Sequence, residues 1–357
     1  MNTIKLPKNA IDFFKSNQDK IFDSGKLAEG PWNEELSKKI KIIANVKNAI
    51  GVNSNGSGLV ALLLIYKEYY GRTDIMIQSN TMYGVKTITK TAGYNLVDFI
   101  DCRLETLMPN FEDLKKAVNN YDKKTDKLVI LLSDIGGIIN PDIEKIVKFC
   151  KEKNIILIED SAHSFGSTLN KKFSGTFGNA GVYSYYSTKA IFAGEGGVVV
   201  TDDNNIGNLM KDFIVYDRFK KKMNIGCNIR LSELQALMIY SVVKEYEEII
   251  KNKFKIAKKY SEICKSLDIK YISQKNNLMS GNYYKFTVIS PSENISTLLP
   301  KVKTTTSKVY DYAIGNSGQI PLKHLCLPIW FDLEENILDK DELDKLLDPK
   351  NMIKPTD

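Results

Sequence analysis

Between Gly51 and Val200 short apolar runs alternate with amphipathic stretches, and this rhythm narrows the possible folds more than any other feature of the chain. The runs Ile75–Ile77, Leu96–Ile100, Leu128–Leu132, Ile155–Ile158 and Val198–Thr201 are too short and too β-branched for helices, so they read as strands. Their unbroken apolarity predicts burial on both faces, as in a parallel sheet covered by helices. Between two of them, Asp142–Lys153 places Ile143, Ile146, Val147 and Cys150 at helical spacing just after Pro141, which predicts a crossover helix.

The pattern changes after Arg230. Leu231, Leu234, Met238, Val242, Tyr246 and Ile249 recur on one helical face, predicting a long helix that runs to Leu267. Short apolar runs return around Tyr283–Ile289, and a charged helix is predicted over Asp339–Leu347. A chain of 357 residues is long enough for two units, here a large α/β domain over 1–240 and a smaller α+β domain over 241–357.

Composition removes several functions. Fifty basic and 43 acidic residues leave a net charge of +7, spread along the chain; this suits an anionic small substrate and supplies no dense basic face for nucleic acid. Two histidines, His163 and His324, and five cysteines without C-x-x-C spacing offer no metal site. No run approaches the ~20 apolar residues of a membrane span, and residues 1–20 lack a signal-like apolar core. The expectation is a soluble, unprocessed cytoplasmic protein with reduced thiols.

Three segments carry candidate chemistry. Val182–Val200 sets Lys189 between a serine- and aromatic-rich run and a glycine cluster. A lysine that forms a Schiff base needs such close-approaching backbone, with Ser184 placed to hold a phosphate; in a lysine-rich chain a solvated loop lysine looks the same. Ile155–Gly166 is a buried strand ending in Glu159 and Asp160, with His163 three residues on. Ligands bind at the carboxyl ends of parallel strands, where Asp160 could pair with a protonated ring nitrogen, or simply cap the next helix. Glu159, facing the other way, reads as structural. Val52–Leu62 is a small-residue turn opening into an apolar helix, where Gly56 and Ser57 form either a phosphate cradle or a plain cap. Its glycines match neither the dinucleotide G-x-G-x-x-G nor the P-loop spacing.

Taken together these segments resemble the DegT/DnrJ/EryC1/StrS family of sugar aminotransferases, a branch of the fold-type-I pyridoxal-phosphate enzymes. Gly25–Pro31 is similar to its S-G-x-x-x-x-G-P signature and Ser54–Ser57 to its S-[SN]-G-T turn. Ile158–His163 resembles I-E-D-x-A-[QH], Gly175–Gly181 resembles G-T-F-G-D-A-G, and Ser184–Gly197 resembles S-F-x-x-x-K-x-x-x-x-G-E-G-G. Gly226–Gln235 resembles G-Y-N-x-R-M-S-E-L-Q.

The resemblance implies a large pyridoxal 5′-phosphate-binding domain with a mostly parallel mixed sheet, and a small C-terminal domain. It implies that Lys189 holds the cofactor as an aldimine and shuttles a proton, with pyridoxamine phosphate as intermediate. Asp160 would hold the pyridine nitrogen, and Gly56, Ser57 and Ser184 the phosphate. His163 would face the ring or its oxygen, and Asn228 would reach the phosphate in a neighbouring subunit, making a homodimer with shared sites. The implied reaction moves an amino group, typically from glutamate, onto the keto sugar of a nucleotide diphosphate in amino-sugar or surface-polysaccharide biosynthesis.

Two departures bear on the substrate. Where the family carries an aromatic residue to stack on the ring, Asn80-Thr81-Met82-Tyr83 offers Met82, with Tyr83 one place later. The family's P-L-H-x-Q loop has only Pro321-Leu322-Lys323-His324 as a counterpart, which would suit a smaller phosphorylated ketone or aldehyde as acceptor. A sugar 3-dehydratase, whose members often replace the lysine by histidine, sits poorly with Lys189. A non-catalytic binding module would not need lysine, aspartate and phosphate turn together.

Overall fold

A computed structural model describes residues 5–216, 224–290, 310, 312–333 and 341. The chain opens with helices α1 (Lys8–Ser24) and α2 (Pro31–Ala44), then strand β1 (Asn48–Val52) and helix α3 (Asn55–Tyr70). There follow β2 (Asp74–Gln78), α4 (Tyr83–Thr91), β3 (Asn95–Ile100), α5 (Phe111–Asn119), β4 (Leu128–Ser133), α6 (Ile143–Glu152) and β5 (Ile156–Asp160). A small hairpin of β6 (Thr168–Leu169) and β7 (Lys172–Phe173) precedes β8 (Ala180–Ser184), β9 (Gly197–Thr201) and α7 (Asn204–Val215). After it come α8 (Glu233–Val243), α9 (Tyr246–Ser266), β10 (Lys270–Tyr271), β11 (Met279–Ser280), β12 (Phe286–Ile289), the short α10 (Ile320–Lys323) and β13 (His324–Leu327).

Seven strands form the central sheet in the order β1-β9-β8-β5-β4-β2-β3. Only β9 runs against its neighbours; β8, β5, β4, β2 and β3 pair in parallel, so their carboxyl ends share one edge. The α/β architecture with a mixed, mostly parallel sheet is the one expected. Helices cover both faces. Ile75, Ile77, Val129, Leu131 and Ile158 pack with Leu59, Leu62 and Met210, from α3 and α7, while Met76, Leu128, Ile130 and Leu157 pack with Leu114, Ile143 and Ile146, from α5 and α6. This is why the strands are apolar at every position rather than at alternate ones.

The expectation of two-sided burial fails at one strand. β3 lies at the sheet edge, where Asp98 is exposed and Leu96, Val97 and Phe99 are half-buried, because it has a neighbour on one side only. β1 and β8 escaped notice in the sequence because glycine and polar residues interrupt their short runs. The helix expected from Leu231 to Leu267 is two helices, broken at Lys244–Glu245. Each piece keeps an apolar face, so the periodicity runs through the break: α8 packs with Tyr183, Val198 and Leu36, whereas the far half of α9 (Ile256, Tyr260, Cys264) packs against Phe286, Val288 and Leu325 of the small sheet β10-β12-β13. The segment 291–306 and, apart from Asp341, the helix expected over Asp339–Leu347 lie outside the described residues. No described helix is long and apolar enough to cross a membrane.

Two of the motifs form a joint away from the cofactor motifs. The buried Glu233 carboxylate accepts the amides of Trp32 (2.8 Å) and Asn33 (3.1 Å), the first-turn donors of α2. A Cβ at Gly30 would lie 2.8 Å from that carboxylate, so the G-P of the first motif leaves room for the glutamate of the second. Arg230 completes the joint by pairing with Glu29 at 3.3 Å.

One buried charge sits badly in the core. Lys253, on the inner face of α9, is 3% exposed, and no carboxylate among the described residues pairs with it. Burial, helped by the nearby positive Lys285, lowers its pKa from 10.5 to about 7. The unfolded chain therefore holds this proton more tightly than the native state. The cost to stability is full below about pH 7 and disappears as the pH rises towards 10.5. Lys253→Met is expected to raise unfolding free energy by roughly a few kcal/mol at pH 6.5, with the gain shrinking towards pH 10, as read by denaturant titration at both pH values.

Candidate active site

The carboxyl ends of β4, β5 and β8 and the start of α3 enclose a cavity of about 180 Å³. Its lining includes Gly56, Met82, Asp160, His163, Ser184 and Lys189, so six of the residues singled out in sequence meet here. Ser57, Tyr83 and Asn228 do not line it.

Asp160 ends β5, in register with Ser133 at the end of β4. Its Oδ1 accepts from Asn55 Nδ2 (3.0 Å) and the Ala162 amide (3.2 Å), and its Oδ2 from the Ser133 hydroxyl (3.3 Å). Burial pushes its pKa up, while the Lys189 ammonium and these hydrogen bonds pull it back towards the charged form. Asn55, the residue after the cap of α3, also donates to Val182 O (3.0 Å), tying the helix start to β8. Glu159, on the opposite face, accepts the amides of Gly175, Phe177 and Gly178 at 2.6–3.1 Å and so holds the Gly175–Gly181 turn, the structural part expected of it.

Ser54 caps α3 in a reciprocal box with Ser57. The Ser57 hydroxyl is engaged with Asn53 Oδ1 (2.5 Å) and Ser54 O (2.9 Å), while Gly56 stands on the cavity wall.

Lys189 is half-buried on the connection between β8 and β9. That connection folds back on itself through Tyr185 N to Gly196 O (2.9 Å), Ala193 N to Tyr185 O (2.8 Å) and Lys189 N to Tyr186 O (2.9 Å). Gly196 has φ +125°, and a Cβ there would lie 2.6 Å from Ile239, so glycine is required. Lys189 Nζ lies 5.4 Å from the centre of the Tyr284 ring, which in turn packs on His163 with centroids 4.3 Å apart. Burial, together with the charges of Lys189 and Lys285, holds the His163 pKa well below its usual value, so the ring is neutral. His163 Nε2 lies 3.5 Å from the Tyr310 hydroxyl; Nδ1 is buried with no partner among the described residues.

Met82, rather than Tyr83, faces the cavity. The Tyr83 amide donates to the Tyr312 hydroxyl and its ring meets Tyr312 edge-on at 5.7 Å. Asn228 is exposed to solvent. His324 stands in β13, its ring nitrogens 2.9 Å from Ile320 O and 2.7 Å from Leu104 O, and takes no part in the cavity.

Sequence reasoning missed Ser133, Asp134, Tyr186, Glu195 and Tyr310, all on the lining. Ser133-Asp134 follows an apolar strand just as Glu159-Asp160 does, so the rule that found Asp160 could have found them. Tyr310 carries no local signal.

The chain belongs to the DegT/DnrJ/EryC1/StrS aminotransferase family, whose model matches residues 10–336. It is 26% identical over 258 residues to the UDP-4-amino-4,6-dideoxy-N-acetyl-beta-L-altrosamine transaminase of Helicobacter pylori, covering 69% of this chain and 65% of that one. It is 27% identical over 246 residues to the GDP-perosamine synthase of Escherichia coli O157:H7, covering 67% and 65%. The matched segment thus spans just under two thirds of either relative. The fold agrees with Helicobacter pylori PseC, an aminotransferase involved in pseudoaminic acid biosynthesis, at a TM-score of 0.84 and 21% identity over 97% of this chain and 98% of that one.

Asn55→Ala removes a buried donor shared by Asp160 and Val182. It is expected to cost about 1–3 kcal/mol of stability, measured by denaturant unfolding, because two buried acceptors lose a partner. An unchanged midpoint would contradict the tie between α3 and the strand ends.

Proposed function

We propose that the chain is a pyridoxal-phosphate-dependent aminotransferase that passes an amino group, with glutamate as donor, to the keto sugar of a nucleotide diphosphate. The observation that carries this reading is the meeting of Lys189, Asp160, His163 and Ser184 around one cavity at the strand ends, in a chain of this family. The residues fit the cofactor: Asp160 is a buried carboxylate that keeps acceptor capacity, and His163 Nδ1 is a buried polar atom in want of a partner. When bound, pyridoxal phosphate supplies the electron sink that lets an amino group leave one carbon and be placed on another.

The protein's own groups do the rest. The Lys189 amine, placed over Tyr284, moves a proton between the reacting carbons. Asp160 holds a proton on the ring nitrogen, its charge favoured by Lys189 and its three donors. Gly56 offers its backbone amide, and Ser184 its hydroxyl, to the phosphate at the positive end of α3, whereas the Ser57 amide is taken by the Ser54 hydroxyl in the cap. Neutral His163 would orient the ring, and Met82, on the same cavity wall, would supply an apolar surface for it. Asn228, exposed here, is offered to a second subunit in a homodimer with shared sites. The acceptor follows the two relatives, whose names are those of nucleotide-sugar enzymes. Five unpaired cysteines support a reducing, cytoplasmic setting.

Lys189→Ala should abolish turnover while pyridoxal phosphate still binds, read by the loss of the glutamate-dependent change in cofactor absorbance; substantial residual transfer would sink the assignment. Asp160→Asn should keep the cofactor but lower kcat on the order of 10²-fold, since a neutral amide cannot hold the ring nitrogen protonated. A fully active variant would remove Asp160 from that role.

A further inference from the structure

Unlike the exposed Glu195, Asp134 is a buried carboxyl group on the cavity wall that the reaction outlined above leaves without a task. It follows β4 directly, is 6% exposed, and its amide donates to Asp160 O (3.0 Å). Its Oδ2 accepts the hydroxyls of Ser161 (3.1 Å) and Ser164 (2.5 Å), which fix the side chain from the β5 side. Among the described residues nothing pairs with Oδ1.

Three carboxyl groups crowd these two strand ends: Asp134, Glu159 and Asp160. Ionising all three at once is costly, because like charges in a buried space raise one another's pKa. Asp160 is served by the Lys189 charge and three donors, and Glu159 by three backbone amides. Asp134 has two hydroxyls and no cation. Burial first, and then the Glu159 charge, push it towards its protonated form. A protonated acid whose Oδ2 already accepts has its proton on Oδ1, the oxygen left for the cavity.

We infer that Asp134 is a cofactor-binding residue that acts as a neutral acid, donating a hydrogen bond from Oδ1 to the ring oxygen of pyridoxal phosphate, with Ser161 and Ser164 as its positioning residues. The inference rests on the function proposed above and adds a second polar contact beside His163 Nδ1. It explains why two serine hydroxyls are aimed at one carboxyl oxygen: they leave the other free to donate. The same geometry makes asparagine an adequate replacement, since its amide oxygen accepts from the serines while its NH2 donates into the cavity.

The test compares wild type, Asp134→Asn, Asp134→Leu and Lys189→Ala by titrating each purified chain with pyridoxal phosphate and following cofactor absorbance, with a thermal scan to check folding. Asp134→Asn should bind within about threefold of wild type, and folded Asp134→Leu at least about tenfold more weakly, near the worth of one hydrogen bond to a charged group. If Asp134→Leu fails to fold, the Asn variant decides alone. Loss of affinity there would mean that the negative charge is required and would overturn the inference, as would wild-type affinity in a folded Leu variant. In either case an absorbance band that wild type shows and Lys189→Ala lacks leaves the aminotransferase reading standing. If wild type gives no such band, that reading and this inference fail together.

Discussion

The site depends on keeping a carboxylate charged where water scarcely reaches it. Asp160 is 6% exposed, and burial pushes its pKa up, against the charged form. What opposes burial is drawn from several elements: Asn55 at the start of α3, Ser133 at the end of β4, the amide of Ala162 after β5, and the positive Lys189 from the far side of β8. Each of these elements is held where it is by the sheet order. Parallel pairing brings Ser133 level with Asp160, and the Asn55 to Val182 bond brings the helix start down onto β8. The fold can be read as the apparatus that assembles these donors around one side chain.

Much of this was legible in the sequence, and for a physical reason. A strand buried on both faces must be apolar throughout, so the first polar residue after it marks the strand end, and in a parallel sheet that end is where ligands sit. Asp160 was readable on that ground, Ser184 on the separate ground of the serine- and glycine-rich setting of Lys189, and Gly56 because a helix start offers free amides. Lys189 was not: a loop lysine gains meaning only from partners elsewhere in the chain, and the family resemblance supplied them. Tyr310 and Tyr284 stayed hidden because both reach His163 from outside the helices and strands, where local sequence pattern encodes no contact. Asp134 obeys the same rule as Asp160, standing directly after the apolar strand β4.

The misreadings share a cause as well. Periodicity reports which face of a helix is buried but not the direction of its axis, so α8 and α9 read as one. Apolar runs report burial but not the number of neighbouring strands, so the edge strand β3 read as interior. Charge at a single core position is likewise invisible to pattern, and Lys253 passed as one more residue of an amphipathic helix.

The reversed strand β9 has one further consequence. Because it runs antiparallel to β8 beside it, the segment carrying Lys189 leaves and re-enters the sheet at adjacent positions, and it is stitched shut by Tyr185, Ala193 and Gly196. Such a closed return has a fixed contour length, so an inserted or deleted residue would displace the lysine along its own arc. The β8–β9 return therefore behaves as a part of constant gauge, keeping Lys189 at one place on the cavity wall.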